Sequence, residues 1–159
     1  MELEHAIRTR RTHKAYLPEP LDHETLDELF ELARWAPNHK LTNPWRFRVL
    51  GPGALERLKE VSGDPIAAAK LNRAPTLVAV SATQSGDPVM DEEDLLAAHG
   101  RGLAGYWRTP GVLRTAGGRA ALRIPDDEHV LGLLHLGHPR QEPRVPERAP
   151  VEAVATYLD

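Results

Sequence analysis

The residues best suited to chemistry lie near the N-terminus, where basic side chains crowd into a short stretch. Residues 8–14, RTRRTHK, carry three arginines, a histidine and a lysine. They follow apolar positions with helical spacing, and cations at a helix C-terminus complement the helix dipole even when they are only solvated. Arginine side chains beside a threonine hydroxyl also form a clamp for a phosphate-like anion. Both interpretations of this basic segment remain open at the level of sequence.

Two further stretches are polar without an evident local reason. Residues 36–47, APNHKLTNPWRF, begin where a helical pattern ends at Pro37 and finish where a strand pattern begins after Pro44. The prolines have a structural role, but the polar residues between them do not. Residues 105–111, GYWRTPG, predict a short polar turn after a strand. That turn is either an ordinary loop or a place where backbone groups and Arg108 hydrogen-bond a planar heterocycle.

Other motifs exclude several kinds of site. Residues 100–105, GRGLAG, have the spacing of a dinucleotide fingerprint, but a helix precedes them and a strand follows, which is the reverse of the required order. His135 and His138 lie three apart at the end of a predicted strand and point to opposite faces, so we expect no metal site. No serine lies in a nucleophile elbow, and the sequence contains no cysteine.

Composition favours one ordinary domain spanning residues 1–159. A formal net charge of −3 indicates no overall attraction to nucleic acid or to anionic membranes. No apolar run approaches the length of a membrane span, and the charged N-terminus does not resemble a secretory signal. The absence of cysteine is compatible with a reducing compartment. We therefore expect a cytoplasmic protein that binds neither nucleic acid nor membrane.

The hydrophobic pattern mixes helices and strands. Helices are predicted at residues 3–10, 22–36, 55–61, 64–72 and 91–102, with Asp22 as an N-cap, and the tail at 150–158 is either a short helix or an extended arm. Strands are predicted at residues 45–50, 75–82, 103–107 and 129–136, the first with Trp45, Phe47 and Val49 on one face and its arginines on the other. The fold class is therefore α+β, a sheet flanked by helices.

Taken in order, five stretches resemble the nitroreductase family of FMN-dependent enzymes, most closely its small single-domain branch. They are IRTRRTHKAY, ELARWAPNHKLTNPWRFRVL, APTLVAV, LLAAHGRGLAGYWRT and HVLGLLHLGHP. The resemblance implies a nitroreductase-like fold with a mostly antiparallel central sheet. It also implies a homodimer with an FMN in each of two sites shared between the subunits.

The resemblance also implies which residues hold the cofactor. Arg10, Arg11 and Thr12 correspond to the residues that bind the FMN phosphate and ribityl chain. Lys14 corresponds to a basic position on the pyrimidine side of the flavin, where a cation raises the reduction potential, and it is the expected catalytic residue. The remaining expected contacts are His39 from the partner subunit, and Trp107, Arg108 and Thr109 beside the isoalloxazine ring.

The implied activity is ping-pong hydride transfer from NAD(P)H to electron-poor acceptors such as nitroaromatics or quinones. Two departures from the family pattern keep an alternative open. The segment before LLAAH is shorter than in relatives, which usually have a long central helix there. Pro110, which has no N–H, stands where relatives commonly have a glycine beside flavin N5. The alternative is a flavin carrier or sensor with weakened turnover, or a structural dimer without catalysis. The sequence distinguishes neither NADH from NADPH nor one acceptor from another.

Overall fold

A computed structural model describes residues 2–35, 43–83 and 104–142, together with the single positions 150, 153 and 155. In that part of the chain, helices and strands are mixed along the sequence, and a 3₁₀ helix, Gly111–Arg114, follows the third strand. The elements are α1 Leu3–Thr9, α2 His23–Ala33, β1 Trp45–Val49, α3 Pro52–Glu60, α4 Pro65–Leu71, β2 Thr76–Thr83, β3 Ala104–Arg108, α5 Ala116–Ala121 and β4 Glu128–Gly137. None of the described helices is both long and apolar enough to cross a membrane.

The four described strands form one sheet in the order β1-β2-β4-β3, and every neighbouring pair is antiparallel. β2 and β4 lie in the centre, which explains their nearly continuous apolar sequences. A bulge between Val80 and Ser81 shifts the register of β2 against β4. The predicted α+β fold with an antiparallel central sheet is thus confirmed.

Alternation along the strands produces two cores, one on each side of the sheet. We call the first side the α2 face, where a cluster joins α2 to β2 and β4: Leu21, Leu26, Leu29, Val78, Val80, Leu134 and Leu136. We call the second side the α3 face, where the larger cluster lies: Tyr16, Leu58, Leu71, Ala74, Leu77, Ala79, Val112, Leu113, Ala121, Leu122, Ile124, Val130 and Leu133. Neighbouring residues on one strand therefore face different cores.

Most predicted helices are present, and α2 begins with the predicted cap. Asp22 accepts a hydrogen bond from the Thr25 backbone N–H at 2.7 Å and caps α2, as predicted. α2 ends at Ala33, earlier than expected. The expected stop at Pro37 lies outside the described residues, as do the whole helix predicted at 91–102 and nearly all of the tail.

β1 and β3 differ in detail from the predictions. Phe47 stacks on Phe30 of α2 with ring centroids 4.7 Å apart, but Val49 is 45% exposed. The core on the α2 face therefore covers only part of β1. The strand predicted at 103–107 is confirmed as β3, which continues through Arg108 by pairing with β4 as far as Leu133, so the turn predicted at 105–111 is wrong over residues 105–108. Only two residues separate this strand from the 3₁₀ helix.

α5 was not predicted from the sequence. Its residues, AGGRAA, include two glycines and show no apolar spacing. A Cβ on Gly118 would lie 1.8 Å from the Val112 carbonyl oxygen, so glycine is required where α5 packs against the 3₁₀ helix. The local signal for this helix is its cap, since the Thr115 hydroxyl accepts a hydrogen bond from the Gly118 N–H at 3.0 Å.

Candidate functional site

The basic segment lies against the edge of β3 that faces away from β4. After α1 ends, Thr12 forms a parallel bridge with Gly105, and the His13 N–H donates to the Gly105 carbonyl at 3.3 Å. Further on, the Leu17 N–H donates to the His138 carbonyl at 2.9 Å, just beyond β4. Two stretches that lie more than 90 residues apart in the sequence, 8–14 and 105–111, therefore meet at one edge of the sheet.

Tyr16 anchors this segment to the sheet. Its side chain is buried, and its single hydroxyl proton is shared between the His13 carbonyl at 2.8 Å and the His135 carbonyl at 3.1 Å. Burial is the main cause that raises the pKa of Tyr16 well above its usual value, and the nearby Tyr106 phenol raises it further. The hydroxyl therefore remains a hydrogen-bond donor at all physiological pH values. Sequence reasoning did not identify this residue as part of the site.

Lys14 is exposed and lies over the first half of β3. Its Nζ is 5.5 Å from the centroid of the Tyr106 ring, within the range of a cation–π contact. Thr12, two residues earlier, is also exposed. The predicted catalytic lysine and the predicted phosphate-binding threonine therefore lie on the same short segment beside β3, and both are accessible to a ligand.

The three arginines of the basic segment differ in their surroundings. Arg8 forms an ion pair with Glu4 at 2.9 Å, and both side chains are about three-quarters exposed (75% and 76%). Arg11 is half-buried, and its Nη1 donates to the backbone carbonyls of Arg8 and Arg10 at 2.7 and 2.8 Å. Arg10 is half-buried at the C-cap of α1. Arg8 and Arg11 thus stabilise the helix end, whereas Arg10 forms no ion pair with a described residue.

Trp107 and Arg108 point to opposite faces of the sheet. Trp107 packs with the core of the α2 face, opposite Leu134. A Cβ on Gly132 would approach the Trp107 ring to 2.7 Å, so the indole packs closely against the backbone of β4. Arg108 pairs with Leu133 and faces the α3 side. A ligand confined to one face can therefore contact only one of these two side chains.

His135 is a buried polar residue, and the sequence predicts of it only that it forms no metal site with His138. It is 0% exposed, pairs with Tyr106 across the sheet, and has its ring centroid 5.6 Å from that of Tyr106. Within the described part of the chain, neither of its ring nitrogens has a hydrogen-bond partner, and the same is true of Arg108 Nη1. Leaving such a group unpaired costs about 1–3 kcal/mol.

The imidazole of His135 is neutral at physiological pH. Burial is the main cause that lowers its pKa, and the charges of Arg108 and Arg73 lower it further, to about 4. His138, by contrast, is exposed just beyond the end of β4. No group of described residues could hold a metal ion.

The turn after β3 contains the last two residues of interest. Thr109 is exposed, and Pro110 is buried as the N-cap of the 3₁₀ helix, with its carbonyl accepting from the Leu113 N–H at 3.0 Å. Thr109 therefore remains accessible at the end of the strand. His39, the remaining predicted site residue, lies outside the described residues, and its role stays a prediction.

Comparisons with known proteins agree with the resemblance found in the sequence. A model of the nitroreductase family matches residues 7–85. The chain is 22% identical to YfhC of Bacillus subtilis, a provisionally named NAD(P)H nitroreductase, over 91% of this chain and 88% of that protein.

Two solved structures share the fold. A nitroreductase-like family protein from Bacillus cereus has a TM-score of 0.83 at 21% identity, covering 100% of this chain and 97% of its own. A provisionally named nitroreductase from Desulfovibrio desulfuricans, solved in complex with FMN, has a TM-score of 0.78 at 22% identity, covering 99% and 97%.

Proposed function

The chain belongs to the nitroreductase family, and from this premise we propose that it is an FMN-dependent oxidoreductase that uses NAD(P)H to reduce small electron-poor acceptors. The observation that carries the proposal is the contact between the basic segment and β3, where Thr12 bridges to Gly105. This contact gathers hydroxyl, guanidinium and ammonium groups along one edge of the sheet. A relative of the same fold was solved with FMN bound.

The donor set at this edge fits a flavin mononucleotide. Arg10 and the exposed Thr12 would hold the phosphate and ribityl chain, because guanidinium and hydroxyl donors match phosphate oxygens. Arg11 would add to them, since a guanidinium has five N–H donors and only its Nη1 bonds to the helix end. The backbone of 107–109 and the Arg108 side chain would lie beside the ring. Trp107 would support that strand from the α2 face.

Lys14 is the proposed catalytic residue. Bound FMN would supply the hydride chemistry, and NAD(P)H and the acceptor would react with it in turn. Lys14 would place a positive charge beside the pyrimidine part of the flavin and so raise its reduction potential. Tyr106, 5.5 Å from Nζ, restricts where that charge can lie. No protein nucleophile is needed, which agrees with a sequence that lacks cysteine.

We propose further that the protein is a single-domain cytoplasmic homodimer, with His39 of each subunit reaching the site of the other. The acceptors would be nitroaromatics, quinones or compounds of similar electron demand. A second candidate function is a flavin carrier or sensor without turnover, or a structural dimer. It is favoured by Pro110, which begins the 3₁₀ helix and offers no N–H beside the expected position of flavin N5.

Titration with FMN, followed by anaerobic addition of NADH or NADPH, separates these functions. The enzyme should bind FMN and lose the visible absorbance of the oxidised flavin when NAD(P)H is added. Bound flavin that neither nucleotide bleaches would favour the carrier. Protein that cannot be loaded with FMN at all would exclude both flavin functions and leave the structural dimer.

A further inference from the structure

Tyr106 lies at the centre of the contact between the basic segment and β3, yet none of the proposed cofactor contacts involves it. Its half-buried side chain faces the α3 side, opposite His135 on β4. The two ring centroids are 5.6 Å apart, and His135 is 0% exposed, so one neighbour of the Tyr106 ring is fixed within the sheet. The other neighbour is the exposed ammonium group of Lys14. A ring held by the sheet therefore lies under the residue that carries the expected charge.

Two consecutive residues of β3 restrain different parts of the basic segment. Thr12 bridges to Gly105, which fixes the backbone two residues before Lys14. Tyr106, the next residue of β3, has its ring centroid 5.5 Å from Lys14 Nζ. A lysine ammonium sits on a flexible four-carbon stem, so a fixed backbone alone leaves its position open. The Tyr106 ring supplies the restraint that the backbone contact lacks.

The kind of restraint matters for a residue whose role depends on its charge. A carboxylate could also hold Lys14, but it would offset the positive charge that stabilises a reduced flavin. Among the residues that the structure describes, no carboxylate forms an ion pair with Lys14. An aromatic face attracts a cation through its quadrupole and leaves the full positive charge in place. Tyr106 therefore restrains the ammonium group without neutralising it.

The neutral state of His135 keeps the ring of Tyr106 available to the lysine. Burial, together with the smaller effects of Arg108 and Arg73, lowers the pKa of His135 to about 4. A protonated imidazole against the same ring would compete with Lys14 for the ring electrons and would also repel the ammonium group. At physiological pH, the lysine has no such competitor on the His135 side.

We propose that Tyr106 is a positioning residue, which holds the Lys14 ammonium group beside the pyrimidine part of the flavin and thereby raises the reduction potential of the cofactor. The identity of the cofactor rests on the proposed function, whereas the restraint on Lys14 rests on the ring contact itself. Without the ring, the population of the held position should fall about two- to fivefold, which is the size of an exposed cation–π contact. The reduced flavin then loses part of its stabilisation.

The midpoint potential of bound FMN tests this role without turnover. FMN-loaded wild type, Tyr106→Leu and Tyr106→Phe are each reduced anaerobically in the presence of a reference dye. We expect Tyr106→Leu to shift the ratio of oxidised to reduced FMN about two- to fivefold toward the oxidised form, which lowers the two-electron potential by about 10–20 mV. Tyr106→Phe is the matched control, because it keeps the aromatic face, and it should retain the wild-type potential.

A double mutant shows whether Tyr106 acts through the lysine. Lys14→Met removes the charge and should itself lower the potential. In that background Tyr106→Leu should cause no further fall, whereas a merely structural effect on the site would lower the potential again. Tyr106→Val, whose β-branched side chain suits a strand, is the second variant if thermal unfolding shows that Tyr106→Leu does not fold.

The ring contact is also measurable by NMR in the FMN-free chain. Protons above an aromatic ring resonate upfield, so the ε-methylene protons of Lys14 should lie upfield of those of Lys59, which pairs with Glu56 instead. The upfield shift should persist in Tyr106→Phe and disappear in Tyr106→Leu. An unshifted Lys14 in the wild type, or equal potentials for wild type and Tyr106→Leu, would overturn the proposal. A Tyr106→Phe variant that behaves like Tyr106→Leu, or a further fall in the Lys14→Met background, would overturn it as well.

These samples distinguish failure of the positioning role from failure of the proposed function. If FMN cannot be loaded but the Lys14 shift depends on the Tyr106 ring, the restraint stands and the flavoenzyme function fails. If NAD(P)H bleaches bound FMN but the potential does not depend on Tyr106, the function stands and the positioning role fails.

Discussion

Replacing Arg10 by alanine tests the difference between an anion clamp and a solvated helix end. A charge-assisted hydrogen bond to phosphate contributes about 1.5–3 kcal/mol, and each 1.4 kcal/mol is a tenfold change in Kd. Because Arg10 is half-buried, solvent screens part of this contribution. We therefore expect Arg10→Ala to lose about 1.5–2 kcal/mol of FMN binding free energy. The Kd for FMN should therefore rise about ten- to thirtyfold.

The neighbouring Arg8 supplies a matched control from the same helix turn. Arg8→Ala removes the same charge, but this guanidinium pairs with Glu4 on the exposed side of α1. Long-range attraction of the phosphate is reduced similarly in both variants, so only a direct contact makes Arg10→Ala worse. We expect less than a threefold change for Arg8→Ala, which is the size of an exposed surface-charge effect of about 0.5 kcal/mol.

Quenching of flavin fluorescence as protein is added gives the Kd at fixed ionic strength. Both variants should unfold at nearly the wild-type temperature, since neither arginine lies in a core cluster. Equal Kd values for Arg8→Ala and Arg10→Ala would show that the segment attracts FMN only through its net charge. An unchanged Kd in both variants would show that the basic segment only stabilises the end of α1 and does not bind FMN.

Three further substitutions test how the sheet holds the site, each by denaturant unfolding. Arg48→Met breaks the two hydrogen bonds that Arg48 donates to the buried Glu128 at 2.7 and 2.8 Å and should cost about 2–4 kcal/mol. Burial raises the pKa of Glu128, but its bonds to Arg48 and Ser81 outweigh this and lower it, so the wild type should lose this stabilisation as pH falls below about 4. Tyr16→Phe leaves two carbonyls without their donor, costs about 1–2 kcal/mol and should weaken FMN binding. Gly132→Ala drives a methyl group into the Trp107 ring, costs about 1–3 kcal/mol and should change the tryptophan emission.

The opposite results are equally informative. If the difference in unfolding free energy between wild type and Arg48→Met does not change with pH, the ion pair does not cause the loss of stability in acid. Wild-type FMN affinity in Tyr16→Phe would show that the basic segment stays on β3 without its tyrosine anchor. Unchanged stability and emission in Gly132→Ala would mean that Trp107 does not pack closely on β4.

The parts of the fold that depend on short-range chemistry could be predicted from the sequence. Asp22 was identified as a cap because its side chain accepts from a backbone N–H three residues away. The continuous apolar run at 75–82 predicts a buried strand. The structure gives the reason, since core clusters cover both faces of that strand. α5 was missed because its glycines are required by a close approach to Val112, which only the folded chain reveals.

The candidate site depends mainly on contacts that sequence spacing cannot reveal. The meeting of Thr12 with Gly105 and the position of Lys14 over Tyr106 are both long-range. Only the family resemblance brought these stretches together in advance. His135 carried a weak signal, a polar residue within the apolar run VLGLLHL, but its importance comes from the cross-strand pair with Tyr106 and from the absence of hydrogen-bond partners among the described residues.

A crystal structure of the protein soaked with FMN tests the central claim most directly, because the claim is about where the phosphate lies. We predict one flavin per chain, with its phosphate within hydrogen-bond distance (about 2.7–3.2 Å) of Arg10 and Thr12 at the edge of β3, and with Lys14 beside the pyrimidine ring. A flavin bound away from Gly105 and the basic segment would contradict the account. So would crystals that remain free of flavin after a soak at saturating concentration.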